Sequence, residues 1–91
     1  MSNVSGSLKL SVYTPSQTVC ENREVSSVTL TGSEGQIQIL PGHASMLGTL
    51  EPGVLATDGG ERSIKGKSGS GFFEVTENEV SVVAESLELA E

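Results

Sequence analysis

Short apolar alternations separated by turn residues run through the whole 91-residue sequence, and this pattern constrains the fold more than any other feature. Leu8, Leu10 and Val12 alternate with polar residues, which is the period of a strand with one face on a core. Similar apolar runs follow at about 25–30, 37–39, 54–57, 72–75 and 80–84. No ten-residue segment has helical periodicity. Eight or so short strands at this spacing predict an all-β sandwich or barrel.

Gly, Pro, Asn and Asp predict where these strands end. We expect turns at 21–23, 32–35, 51–53, 58–60 and 77–78, and a strand end at Pro41-Gly42. The apolar phase slips near Ser26 and Ser27, which predicts a bulge. Residues 65–71 lack apolar side chains and predict an edge strand or a loop. We divide the chain into a flexible N-terminus (1–7), one domain (8–86) and a frayed C-terminus (87–91).

Charge and composition argue against several classes of protein. A net charge of −7 with five basic residues opposes binding to a phosphate backbone, so we expect no nucleic-acid partner. The single Cys20 cannot form an intramolecular disulfide, and we expect it to pack as a small apolar residue. The sequence has no apolar run of about 20 residues and begins without a signal or lipidation pattern. We therefore expect membrane association through a partner, without direct lipid insertion.

Few residues are candidates for catalysis or for cofactor binding. Cys20 and His43 are the one thiol and the one imidazole, and no third group can be identified to orient them. The glycine-rich stretch at 66–71 lacks the spacing of a phosphate-binding loop, and the acidic residues form no calcium-loop pattern. We expect no enzyme activity, metal or cofactor, with a hydrolase that uses Cys20 or His43 kept as a competing hypothesis.

The segment at residues 32–47, GSEGQIQILPGHASML, resembles the G-S-E-G-x-x-G-[IV]-x-P-G-H-A-P-L-L stretch of the epsilon subunit of F-type ATP synthases. SVYTPSQTV at 11–19, LEPGVL at 50–55 and SGFFEVTENEVSVVAE at 70–85 also resemble family segments. The matches occur in order and cover about residues 8–86. Gln36, Gln38 and Ser45 depart from the pattern of many members.

This resemblance implies a flattened sandwich of about ten strands followed by a C-terminal helical hairpin. The sequence stops where the hairpin would begin. In the family the hairpin inhibits ATP hydrolysis and in some members closes on ATP, so we expect this chain to bind no nucleotide.

The resemblance also implies a non-catalytic rotor subunit of the central stalk, which links the gamma subunit to the c-ring and couples proton flow to ATP synthesis. Its location would be peripheral, on the cytoplasmic face of the inner (plasma) membrane. The implied c-ring-facing loop comprises Glu34, Gln36, Pro41, Gly42, His43 and Ala44. The implied gamma-facing residues are His43, Met46, Leu47 and Thr49. A stand-alone β-sandwich module that binds a small ligand or peptide is the alternative.

Overall fold

The structure, a computed structural model, describes residues 7–59 and 63–90, and every helix or strand found there is a β-strand. The all-β sandwich predicted from the sequence is confirmed. The described residues form nine strands: β1 Leu8–Thr14, β2 Gln17–Val25, β3 Ser27–Gly32, β4 Gly35–Ile39, β5 Met46–Asp58, β6 Lys65–Ser68, β7 Gly71–Thr76, β8 Glu79–Ala84 and β9 Leu87–Leu89.

The strands form two layers that share β5. The first layer has the order β2-β1-β8-β7-β5, in which β1 and β8 are parallel and the other neighbours are antiparallel. The second layer has the order β4-β3-β5-β6-β9 and is antiparallel throughout. Because β5 serves both layers, nine strands fill ten positions. The resulting body measures 39 × 27 × 19 Å, which is the flattened shape expected.

The prediction of a tight turn at 51–53 is wrong, because β5 runs through Pro52 and Gly53 without ending. The partner of β3 shifts instead from Leu55 to Leu50 over two residues of β3, which is a bulge in β5. Thr31 on β3 donates a hydrogen bond to the Val54 carbonyl oxygen (3.3 Å) at this bulge. The bulge redirects β5 from the first layer to the second.

Two other expectations about β2 and β3 also need correction. The predicted turn at 21–23 lies inside β2, where Asn22 adopts a positive φ of 52° and its N–H donates to Ser11 Oγ (3.0 Å). The predicted bulge near Ser26 is a break between β2 and β3, and the Ser26 N–H donates to the Asp58 carbonyl oxygen (2.7 Å). Both places combine an irregular backbone with a hydrogen bond to another strand, which the apolar pattern does not encode.

The glycine-rich segment contributes a paired strand. β6 lies between β5 and β9, so it is neither a loop nor an edge strand. Gly66 is required there because a β-carbon at this position would collide with the Glu88 carbonyl oxygen of β9. Residues 87–89, expected to be frayed, form β9 through these backbone pairings.

The predicted turns at 32–35 and 77–78 and the strand end before Pro41 are confirmed. The expected turn at 58–60 lies partly outside the described residues. The core between the layers is aliphatic apart from one ring and one thiol. Its buried apolar residues are Leu8, Leu10, Val12, Cys20, Val25, Val28, Leu30, Ile39, Leu50, Leu55, Ile64, Phe73, Val75, Val80, Val82 and Ala84.

Candidate functional site

Residues 33–45 form one border of the sandwich, which we call the β4 edge. It consists of the turn at 33–34, strand β4 and the segment at 40–45. β4 pairs with β3 alone, so its other side is unpaired within the described residues. Glu34, Gln36 and Ala44 are exposed, whereas Pro41 and His43 are half-buried. The β4 edge therefore presents polar side chains and unpaired backbone groups to solvent.

The segment around Gly42 is held by three hydrogen bonds. The His43 N–H donates to the Leu40 carbonyl oxygen (3.0 Å), and His43 Nδ1 lies 2.7 Å from the Ala44 carbonyl oxygen. The Gly42 N–H donates to Oδ1 of Asn78 (2.8 Å), in the turn between β7 and β8. Gly42 has a φ of 87°, a left-handed conformation that glycine adopts without a steric penalty. The segment thus has a defined shape although its surface is exposed.

The structure separates two residues that the sequence assigned to one loop. Glu34 lies in the turn before β4, and His43 lies beyond its other end. β4 contains five residues, which span about 17 Å at the rise of a strand. Glu34 and His43 therefore belong to two ends of the β4 edge and could contact one partner only if that partner covers the whole strand.

The first half of β5 contributes an exposed apolar surface next to the β4 edge. Leu47 is 72% exposed, and Met46 and Thr49 are also exposed. Leu47 and Thr49 point to the outside of the first layer because side chains alternate along a strand. Phe72 pairs with Thr49 and is 53% exposed on the same side. We call Leu47, Thr49 and Phe72 the outer apolar patch.

Phe72 was not predicted as a surface residue, although the sequence contains a signal for its position. Phe72 and Phe73 are adjacent in β7, and two adjacent residues in a strand face opposite sides. One of the two rings must therefore leave the core. Phe73 is the buried one, so Phe72 is the ring on the outside.

A groove of about 300 Å³ lies between the β4 edge and the start of β5. Its walls include Ile37, Met46, Leu47 and Phe73, and Glu34 lies at its border. The volume is at the lower end of the range for small-molecule sites. It gives little support to the alternative of a stand-alone ligand-binding module.

The Cys20 thiol lies in the core, on β2, and is 8% exposed. Burial raises the pKa of this thiol, and the nearby Arg23 charge and a backbone hydrogen bond from Val12 oppose the rise. A raised pKa disfavours the thiolate that a nucleophile needs. In the parts of the chain that the structure describes, no group of three His, Cys, Asp or Glu side chains could hold a metal ion.

A family model described as ATP synthase, Delta/Epsilon chain, beta-sandwich domain matches residues 7–90. The chain belongs to this family. Family membership agrees with the resemblance noted in the sequence, and the curated relatives are named as the epsilon chain of ATP synthase. The hydrolase hypothesis is not supported.

Curated relatives of the family are similar over most of this chain. The ATP synthase epsilon chain of Synechococcus sp. (strain WH7803) is 42% identical over 85 residues, covering 91% of this chain and 60% of the relative. That of Bdellovibrio bacteriovorus is 33% identical over 86 residues, covering 92% and 61%. The chain thus spans about 60% of the length of these relatives.

Solved structures share the fold at low sequence identity. A cryo-EM structure of the Euglena gracilis mitochondrial ATP synthase (OSCP/F1/c-ring) contains a chain that matches with a TM-score of 0.85 and 20% identity, over 97% of this chain and 56% of that one. A chain of the Tetrahymena thermophila mitochondrial ATP synthase central stalk and c-ring gives 0.77 and 18%, over 89% and 65%. These matches support the β-sandwich architecture of the family.

Proposed function

We propose that this chain acts as a non-catalytic rotor domain of an F-type ATP synthase, which links the gamma subunit to the c-ring. Coupling of proton flow to ATP synthesis would depend on this link, while catalysis takes place in other subunits. Membership of the delta/epsilon family supports the assignment to the complex. The observation that carries the proposed contact role is the outer apolar patch, which adjoins the polar β4 edge.

The outer apolar patch suits a partner that remains bound. Leu47 is 72% exposed and Phe72 53%, and they are diagonal neighbours across β5 and β7. Exposed apolar side chains that adjoin each other are typical of protein contact sites, and aromatic residues are enriched at the centres of interfaces. We assign this patch, which includes Thr49, to gamma, together with His43 and Met46.

The β4 edge suits a polar partner. Glu34, Gln36 and Ala44 are exposed, and the segment at Pro41, Gly42 and His43 is held in shape by hydrogen bonds. A surface with a fixed shape loses less conformational entropy when it binds a partner. A fixed shape also suits a contact that transmits torque. We assign this edge to the polar loops of the c-ring.

The location follows from the proposed partners. In the described residues, no helix is long and apolar enough to cross a membrane. The chain would be held peripherally, through the c-ring, at the cytoplasmic face of the inner (plasma) membrane. The two structural neighbours come from ATP synthase assemblies that include a c-ring, which is compatible with this arrangement.

Co-expression with gamma tests the first contact. The wild-type chain should co-elute with gamma in gel filtration at micromolar concentration, and the double variant Leu47→Ser/Phe72→Ser should not. Leu89→Ser is the matched control, because Leu89 is 55% exposed but lies on β9 in the other layer. If the wild-type chain elutes alone, or if Leu89→Ser disrupts co-elution equally, the assignment of the patch to gamma is wrong.

ATP-driven proton pumping by the reconstituted enzyme tests the second contact. Glu34→Gln and His43→Ala should loosen coupling while the melting temperature changes little, because Glu34 is exposed and the hydrogen bonds found for the half-buried His43 lie within its own segment. A large fall in melting temperature would show that the residues are structural. Unchanged pumping in both variants would remove the β4 edge from the proposal.

A further inference from the structure

The turn between β7 and β8 is bonded to the segment at 40–45 by a single side chain. The Gly42 N–H donates to Oδ1 of Asn78 at 2.8 Å, across 36 residues of sequence. The Asn78 carbonyl oxygen in turn accepts the Lys9 N–H at the start of β1 (2.9 Å). Asn78 therefore connects this part of the β4 edge to the turn between β7 and β8 and to the start of β1.

The other hydrogen bonds found for residues 40–45 are local. They join His43 to Leu40 and to Ala44, within the segment itself. Among the described residues, the bond to Asn78 is the one that fixes the segment relative to another element. Local bonds can preserve a turn while the turn moves as a unit, whereas the Asn78 bond fixes its position.

The turn geometry alone does not require an asparagine side chain. Glu77 and Asn78 have φ values of 36° and 66°, so both central residues of the turn are left-handed. Such turns favour Asn or Gly, and Gly would satisfy the backbone equally well. What Asn adds is an acceptor that reaches Gly42.

We propose that Asn78 is a positioning residue for the c-ring contact. It holds Gly42 and the adjacent His43 in one place on the β4 edge, so that the partner meets a surface that is already ordered. This inference rests on the proposed function. The side-chain bond and the c-ring contact can still be measured separately, so their failures are distinguishable.

Two substitutions separate the side-chain acceptor from the turn conformation. Asn78→Gly keeps the left-handed backbone and removes Oδ1. Asn78→Asp keeps an acceptor, and combining it with Glu77→Gln keeps the net charge at −7. Asn22→Gly is the matched control, because Asn22 also has a positive φ (52°) but lies in β2, where its N–H bonds to Ser11.

The first measurement is the amide hydrogen-exchange rate of Gly42, which is recorded by NMR on the isolated chain. Asn78→Gly should exchange about fivefold faster than wild type, the factor that corresponds to about 1 kcal/mol for one hydrogen bond. The Asp variant should restore slow exchange, and Asn22→Gly should leave it unchanged. Equal Gly42 exchange in wild type and Asn78→Gly would overturn the inference and leave the proposed function standing.

The second measurement is the dissociation rate of the chain, bound to gamma, from detergent-solubilised c-ring, well below the melting temperature. Asn78→Gly should dissociate several-fold faster, the Asp variant should approach the wild-type rate, and Asn22→Gly should match it. If exchange changes but the dissociation rate does not, Asn78 is structural only and the inference fails. If the wild-type chain does not bind the c-ring, the proposed contact fails first and the inference falls with it.

Discussion

Two adjacent rows of residues cross the same five strands of the first layer and face opposite sides. Each row follows the strand register from β2 through β1, β8 and β7 to β5. The inner row consists of Cys20, Val12, Val82, Phe73 and Gly48. The outer row consists of Thr18, Tyr13, Val83, Phe72 and Thr49. The rows are adjacent in register from β1 to β5, and a register shift at β2 places Cys20 opposite Val12 and Thr18 opposite Tyr13. The rows otherwise differ in side chains and surroundings.

The comparison shows which apolar residues serve the fold. Phe73 in the inner row is 2% exposed, and it packs over Gly48, which has no side chain to compete for the space. Phe72 in the outer row is 53% exposed and fills no interior space. The inner row is explained by packing within the domain. The outer row has apolar surface left over, which is why we assign part of it to a partner.

Truncating the two phenylalanines should give the largest difference between the rows. Phe73→Ala should lower the free energy of unfolding by about 3–5 kcal/mol, because it removes the one aromatic ring of the core and leaves a cavity. Phe72→Ala should change it by about 0.5 kcal/mol or less, as expected for a surface position. Urea denaturation measures both.

Phe72 should contribute to gamma binding although it contributes little to the free energy of unfolding. Phe72→Ala should weaken co-elution with gamma although the chain remains folded. If Phe72→Ala lowers the free energy of unfolding as much as Phe73→Ala does, the outer ring stabilises the domain. The proposed difference between the two rows would then be wrong.

Gly48 provides a smaller test of the inner row. A β-carbon at position 48 would lie 2.6 Å from Cζ and 2.8 Å from Cε1 of Phe73, so the ring would have to move. We expect Gly48→Ala to lower the free energy of unfolding by about 1–3 kcal/mol, the cost of overpacking a core. Thermal unfolding followed by circular dichroism provides the measurement.

Gly32→Ala is the control for Gly48→Ala. The atoms nearest to a β-carbon at Gly32 are 3.7 Å away, which is ordinary contact. This variant should be neutral or stabilised by up to about 1 kcal/mol, because alanine restricts the unfolded chain. If both variants are equally destabilised, the cause is the loss of a glycine from a strand and not a clash with the Phe73 ring.

The fold class was predictable because alternation along the strands survives in the sequence. Leu10 and Val12, or Val80 and Val82, show it directly, and each pair lies in the core. The path of β5 was not predictable from the residues, because Pro52 and Gly53 are typical of a turn. Their strand conformation depends on Thr31 and the β3 partner, which are distant in sequence.

The residues of the candidate site could be predicted from the sequence, but their positions relative to one another could not. The resemblance implied the surface segment around His43, and it also implied Met46, Leu47 and Thr49, of which Leu47 and Thr49 face the same side of β5. The roughly 17 Å between the two turns at the ends of β4 depends on strand pairing that the motif does not encode. The bond between Gly42 and Asn78 joins two turns that only the folded chain brings together.

The smallest expected effect concerns Cys20, at the β2 end of the inner row. Burial raises the pKa of this thiol in the folded protein above the value of about 8.5 that it has in an unfolded chain. The unfolded state therefore loses its proton first as the pH rises. The neutral thiol contributes stability that is fully present below about pH 8.5 and is lost as the pH rises through the folded-state pKa.

Moving the thiol to the outer side of the same strand sharpens this test. From about pH 7.5 to 9.5, the free energy of unfolding should fall more steeply for wild type than for Cys20→Ala, under reducing conditions. Thr18 lies on β2 and is exposed, so Thr18→Cys combined with Cys20→Ala places a thiol in the outer row. Its pH dependence should follow that of Cys20→Ala, because an exposed thiol ionises alike in the folded and unfolded states. Parallel curves for wild type and Cys20→Ala would mean that the inner row does not exclude the thiolate, and the electrostatic difference between the two rows would be lost.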